Sequence, residues 1–272
     1  MTKLSKLGEL GLLAELEERG LIVNVTNDAA QLEGGLIASQ DAFVENVHFR
    51  LDWIGWRELG WRAAAASISD LSASGADPEA LVIALAVPPG TDAGDVIELY
   101  EGIAETGVPV VGGDLTSSDA VMLSVTALGR SERVPGRGGA RPGDLLVVTG
   151  PLGRAGAAFR ERSYVRFPMR LAEGKQLAAT AHAMLDISDG IAVDVGHIAR
   201  RSGVRCVVEL RCVPLAPGAT VADLAHGEDY ELLAAVTDAD GFTVVGRVEE
   251  GEGVELLLDG EPHVLRGWEH FS

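Results

Sequence analysis

Two α+β domains are the fold class that this sequence predicts. Each half of the 272 residues mixes strand and helix patterns without a strict strand–helix–strand rhythm, which favours separate α+β units over one doubly wound sheet. Between the halves, the stretch "GRSERVPGRGGARPGD" (129–144) has turn chemistry and no apolar periodicity, so it reads as a boundary. The chain is 47% hydrophobic but only 5% aromatic, so its cores must be built from Ala, Val, Leu and Ile.

Taken in order, apolar residues recur at helical spacing from Leu7 to Arg19 and stop at Gly20. Gly35 to Ala42 reads as a strand running into the polar stretch "SQDAFVENVHF". Glu58 to Ser74 is a helix that is apolar on almost every side and therefore buried. Leu81 to Val87 is a strand ended by Pro88-Pro89, Asp92 to Glu105 an amphipathic helix, and Val108 to Val111 a short strand closed by Gly112-Gly113. Val121 to Leu128 alternates as a further strand. Beyond the boundary, Leu145 to Thr149 is a strand, Ala172 to Ala183 and Gly190 to Arg201 are helices, and Val204 to Leu210, Glu231 to Val236 and Phe242 to Val248 are strands.

With 41 acidic against 22 basic residues the formal charge is −19. That field repels a phosphate backbone and an anionic membrane surface, so neither nucleic acid nor membrane is an expected partner. An anionic substrate then needs cations to mediate its contact, although most of these carboxylates serve solubility. Lysine is confined to Lys3, Lys6 and Lys175, which leaves the basic work to arginine. Cys206 and Cys212 make a poor zinc site, and with no secretory signal a reduced, cytoplasmic setting is expected. Charges interrupt every apolar stretch before membrane-spanning length.

Several acids do not read as surface. Asp70 continues the stripe Leu59, Ala63, Ala66 along a buried helix, where a carboxylate needs a partner. A bland reading, as an arginine ion pair or a local helix cap, and a functional one are about evenly open. In "VGGD" (111–114) two glycines permit a ligand to approach the backbone, and Asp114 is placed for a cation, although plain turns share this pattern. In "LDISDGIAVDVGHIARRSG" (185–203), Ile191, Val195 and Ile198 mark the buried face of a helix. Asp186, Ser188 and Asp189 thus sit on the turn before it, more polar groups than capping requires, at a helix start that favours phosphate. "HGEDYELL" (226–233) sets three acids before an apolar strand, and Asp28 and Asp41 with His48 complete the set. A lone histidine such as His48 is as a rule structural. No Walker A motif is present, and "GPLGRAG" fits no dinucleotide fingerprint.

Taken together in this order, "NDAA", "DAFVENVHF", "SISDLSASGADP", "VGGD", "RPGDLLVVTGPLG", "LDISDGIAVDVGHIARRSG", "GEDYEL" and the terminal "GWEHF" resemble the thiamine-monophosphate kinase family. That family is grouped with aminoimidazole ribonucleotide synthetase and selenophosphate synthetase. The resemblance spans the chain, and "LDISDG" with "GEDYEL" and "VHF" is specific to this branch. It implies an N-terminal α/β dimerisation domain over 1–138, which binds ATP and magnesium, and a C-terminal α+β domain over 139–272. It also implies direct transfer of the γ-phosphoryl of ATP to thiamine monophosphate, with several Mg²⁺ ions, no covalent nucleophile and a homodimeric assembly. By position, Asp28, Asp41, Asp70, Asp114, Asp186 and Asp189, with Gln40, become metal ligands. Gly113, Asp114, Arg137 and Ser188 contact ATP, and His48, Glu228 and Trp268 hold the acceptor. The chemistry is coherent, because donor and acceptor both carry phosphate and repel one another without cations.

The chain departs from the family pattern in places. Thr26-Asn27-Asp28 stands where Gly-Asp-Asp is usual, Gln40 replaces a Thr, and Asn46 replaces a Gly. Asn27 removes one negative charge, which weakens the expected metal position near Asp28 and Asp41. The segments after Gly153 and between Pro214 and His226 are short for the family, which opens the acceptor side of the cleft. These departures keep two other readings in view: a binding relative that has lost the reaction, and a catalyst with a different acceptor.

Overall fold

The structure, a computed structural model, describes residues 4–23 and 27–268. The Thr26 departure and the end of the terminal motif, Glu269 to Phe271, lie outside the described residues. Helix α1 (Leu4–Glu18) kinks at Gly8, where φ is 69°. A short β1 (Ala30–Gln31) pairs with β2 (Leu36–Val44), and the chain then enters α2 (Trp56–Ala73). From Leu59 to Ala73 every residue of α2 is buried except Asp70. This is the buried helix that its all-round apolar character predicts.

Strand β3 (Asp77–Val87), helix α3 (Ala93–Ala104), β4 (Val110–Ser117) and β5 (Met122–Arg130) complete the first half. The Asp92 carboxylate caps α3 by accepting the Gly94 N–H at 2.8 Å. Helices α2 and α3 come close because Gly60 faces the Leu99 carbonyl and Gly102 the Arg57 carbonyl, with room for no side chain at either point. The strands form one sheet in the order β1-β2-β5-β3-β4, parallel only between β3 and β4. Its pleat gives it two unlike faces: Ile37, Ser39, Asp41 and Phe43 point towards α2, and Leu36, Ala38, Gln40 and Ala42 point the other way.

One expectation fails here. The sequence reads Val108 to Val111 as a strand closed by Gly112-Gly113, but β4 runs on through both glycines to Ser117. Gly113 is instead a point of close approach within the sheet, since a Cβ there would meet the Ile83 carbonyl oxygen at 1.8 Å.

The second half contains β6 (Leu145–Val148), α4 (Arg154–Arg160), α5 (Leu171–Thr180), β7 (Ala183–Asp186), α6 (Ile191–Ser202), β8 (Arg205–Glu209), β9 (Leu232–Val236), β10 (Thr243–Glu249), β11 (Gly253–Leu258) and β12 (Glu261–His263). Helix α5 ends earlier than its apolar run suggested, because Ala183 opens β7. These strands form a sheet in the order β12-β11-β8-β10-β6-β9-β7, parallel only between β8 and β11. Two mixed sheets with helices laid on them are the α+β class expected. Ile191, Val195 and Ile198 of α6 are all buried, as their spacing predicts.

Helix α2 packs against β2, β3 and β5 on one side and against α5 and β7 on the other, so it lies between the two sheets. Among the described residues no helix is long and apolar enough to cross a membrane.

Candidate active site

Asp28 precedes β1, Asp41 lies on the inner face of β2, Asp70 is near the end of α2, and Asp186 ends β7. Because α2 separates the sheets, these elements converge on its C-terminal half. Ligand oxygens of Asp28, Asp70 and Asp186 lie within 4.8 Å of one another. Asp41 belongs to the same electrostatic group and raises the proton affinity of Asp70 and Asp186.

Burial and mutual repulsion dominate the site. Asp70 is pushed well above the usual carboxylate range, first by desolvation and then by Asp41, Asp186 and Asp28. Its direct partner is the Ser39 hydroxyl, which donates to it. Asp186 is raised to about 8, chiefly by burial. Asp28 and Asp41 are raised for the same reason, with Arg137 opposing the shift at Asp28 and the Ser67 hydroxyl opposing it at Asp41. One oxygen of Asp41 and one of Asp186, both Oδ2, are buried without any hydrogen-bond partner among the described residues. Buried carboxylates held together with vacant lone pairs are the donor set of a hard divalent cation.

Arg137 reaches this cluster from the segment joining the halves. Its Nε donates to Asp28 Oδ1 at 2.7 Å, and its backbone N–H donates to Asn27 Oδ1 at 3.0 Å. Asn27, where the family pattern has an acid, therefore fixes the backbone of Arg137. Asp189 begins a second group with Asp194 and His197, again within 4.8 Å. Asp194 is buried, accepts the Asp189 N–H at 3.2 Å, and is raised well above its ordinary value by burial and by Asp189 and Asp186. Burial lowers His197 to about 3, so its ring is neutral. The sequence reading missed Asp194, although it sits on the stripe Ile191, Val195, Ile198, the same signal that marked Asp70.

The turn at Ile187–Asp189 is zipped to the loop at 227–231. Glu228 N–H donates to the Ser188 carbonyl at 2.9 Å, and Tyr230 N–H to the Ile187 carbonyl at 3.0 Å. Gly227 allows this contact, since its φ is 77° and a Cβ would meet the Ser188 oxygen at 2.2 Å. The three acids of this loop then part. Asp229 accepts the Gly153 and Ala155 N–H groups at the start of α4, and Glu231 pairs with Arg170 and accepts the Thr149 hydroxyl. Glu228 alone turns towards a cavity.

That cavity holds about 500 Å³ and opens beside Asp41 and Asp189. His48, Ser188, Glu228 and Trp268 line it, as does Gln40 at the β2 edge. His48 Nδ1 accepts the Val44 N–H at 3.0 Å. Trp268 is placed by its own backbone N–H, which donates to the Asp189 carbonyl at 2.9 Å. The sequence reading missed Glu9, Phe159 and Tyr164 in this wall, which come from elements with no local mark of proximity, and His226, which opens a motif read only for its acids.

Gly113 and Asp114 are not brought to the cluster. The pairings Ala42–Ser124, Ser124–Ala84 and Ala84–Asp114 put Asp114 on the sheet face opposite Asp41 and three strands from β2, about 14 Å in strand spacings. The Gln40 side chain also points to that face, where it donates to Ser124 Oγ at 3.1 Å rather than joining the acids.

The first half of the fold, with its acids, falls in a broader class: a family model described as "AIR synthase related protein, N-terminal domain" matches residues 26–131. Thiamine-monophosphate kinases of Aquifex aeolicus and Mycobacterium tuberculosis are each 32% identical over 99% of this chain, which spans 100% and 93% of their lengths. The chain belongs to the thiamine-monophosphate kinase family. A solved structure of AaThiL complexed with AMPPCP and TMP matches with a TM-score of 0.89 at 30% identity, covering 99% of each chain. The hydrogenase maturation protein HypE in complex with ATP shares the fold alone, at a TM-score of 0.69 and 21% identity.

Proposed function

We propose that this chain transfers the γ-phosphoryl group of ATP to the phosphate of thiamine monophosphate, giving thiamine diphosphate and ADP. The observation that carries this reading is the buried group Asp28, Asp41, Asp70 and Asp186, with two unpartnered oxygens, beside a cavity of about 500 Å³. Those residues fit Mg²⁺, and Asp189 with Asp194 stands next to them. Bound there, Mg²⁺ would screen the phosphates of donor and acceptor and the charge on the group in transit.

The side chains supply the rest. Arg137 is the cation at the cluster and can contact a nucleotide phosphate, as can Ser188 at the turn before α6. With Nδ1 of His48 accepting from Val44, the neutral ring carries its proton on Nε2, a donor for the acceptor phosphate. Glu228 and Trp268 line the cavity for the rings of the acceptor. Because the transferred group needs placement more than covalent chemistry, no nucleophile is required.

Three further points belong to this proposal. Residues 1–138 and 139–272 act as the two domains. Two copies associate through the N-terminal sheet, since all eight residues of edge strand β4 are exposed, Val111 and Leu115 among them, and no charge run protects that edge. The enzyme works in the cytoplasm, consistent with its two free thiols.

Incubation with Mg²⁺, ATP and thiamine monophosphate should yield thiamine diphosphate and ADP in equal amounts. ATP binding without product at any Mg²⁺ concentration would instead make the chain a non-catalytic relative. Turnover with another phosphorylated acceptor only would change the substrate.

A further inference from the structure

Arg62 is a charged side chain on α2 that the reaction as described leaves unused. It is 3% exposed and does not line the cavity. Its Nη2 lies 2.8 Å from Glu228 Oε2, an ion pair whose N–H directions are not aligned as a hydrogen bond. Nη1 donates to the Val165 carbonyl at 3.3 Å, and the guanidinium stands 5.1 Å over the Tyr164 ring and 5.7 Å over that of Phe167. One side chain from the first half thus joins two separate segments of the second, 164–167 and 226–230. Both Glu228 and Tyr164 line the cavity.

The loop it holds is strained. Glu228 and Tyr230 have φ of 55° and 51°, a conformation that side-chain-bearing residues adopt only under constraint. The chain also gives Arg62 a defined place relative to the chemistry. Asp70 lies eight residues further along the same helix, a separation of about 12 Å at 1.5 Å per residue. One rigid helix therefore places an acid of the metal cluster at the phosphate end and Arg62 behind the far end of the cavity.

We infer that Arg62 is a positioning residue that sets Glu228 and the Tyr164 wall to recognise the acceptor's ring remote from its phosphate, an amino-substituted heteroaromatic. This deepens the proposed reaction and rests on it. A carboxylate held in one orientation accepts from a ring amino group, and the adjacent aromatic ring covers a face. Such remote binding energy distinguishes the full acceptor from fragments that carry the same phosphate.

Wild-type turnover tests the reaction itself, and variants test this inference separately. Arg62→Met keeps length and helix propensity but removes the charge and its fork. It should raise KM for thiamine monophosphate about tenfold or more while KM for ATP changes less than about twofold. Arg62→Lys, which keeps the charge, should recover most of that loss. The phosphorylated thiazole half alone, used as a competitive inhibitor, should bind wild type and Arg62→Met equally, since it lacks the remote ring. Because Arg62→Met removes the 2.8 Å partner of Glu228 and leaves it only His226 Nε2 at 3.8 Å among its ion pairs, the double variant Arg62→Met/Glu228→Gln guards against misfolding, and beside Glu228→Gln alone its acceptor KM should match that of Arg62→Met. Equal loss of ATP and acceptor binding, equal weakening of the thiazole phosphate, or additive losses in the double variant would each overturn the role.

Discussion

Asp70→Asn puts a neutral amide where burial and the neighbouring carboxyls oppose ionisation, so that ionising this position no longer costs stability. The metal-free protein should therefore melt at a higher temperature than wild type, while Mg²⁺ loses most of its stabilising effect and turnover falls by about 100-fold or more. Thermal melts with and without Mg²⁺, beside a product assay, check this; a less stable metal-free variant would count against a strained acid cluster. The residue scale also shows what the sequence made legible. Asp70 was visible because an acid on an apolar helical stripe contradicts its surroundings, and Asp194 carried the same mark. Arg62 did not, since an arginine beside a tryptophan on a helix reads as an exposed side chain whose stem covers apolar surface.

At the scale of elements, Asp229 belongs to a motif that reads as functional, yet its carboxylate satisfies N–H groups at the start of α4. Asp229→Ala should cost about 1–3 kcal/mol of stability by leaving buried donors unsatisfied, with KM for ATP unchanged. Chemical denaturation and steady-state kinetics would separate this from a binding role. Strand β4 makes a parallel point. Gly113→Val puts a Cβ against the Ile83 carbonyl at a φ of 150°, so the β3–β4 pairing should fail and the exposed edge with it. If two copies associate through this edge, sedimentation of that variant should show the monomer; an unchanged dimer would move the interface elsewhere.

For the whole molecule, the buried acids couple stability to pH. Asp186 titrates at about 8 in the fold and Asp229 at about 6, against 3.8 for a free carboxyl. Both are raised, so their contribution is complete below the unfolded value and is lost as pH rises through the folded one. The melting temperature of the metal-free protein should thus fall as pH rises from 3.8 to about 8, Asp229's share being lost by about pH 6 and Asp186's by about pH 8. Mg²⁺ binds the deprotonated carboxylates, so the stabilisation it confers should grow across the same interval. Scanning fluorimetry at several pH values tests both slopes, and a flat metal-free profile would contradict the buried cluster.

The sequence by itself determined the helices and most strands, because apolar periodicity and glycine stops are local properties. It also determined which acids were out of place, and the ordered motifs identified the family. Only the tertiary structure decided which of those acids meet. Asp28, Asp41, Asp70 and Asp186 converge because α2 lies between the sheets, a relation set by long-range packing. Asp114 turns away from Asp41 because β4 runs on through its glycines and its register partners Ala84, Ser124 and Ala42 share its face, opposite to Asp41. The partners of Arg62 lie more than a hundred residues away along the chain, and no local pattern records a contact made only when both halves close on one helix.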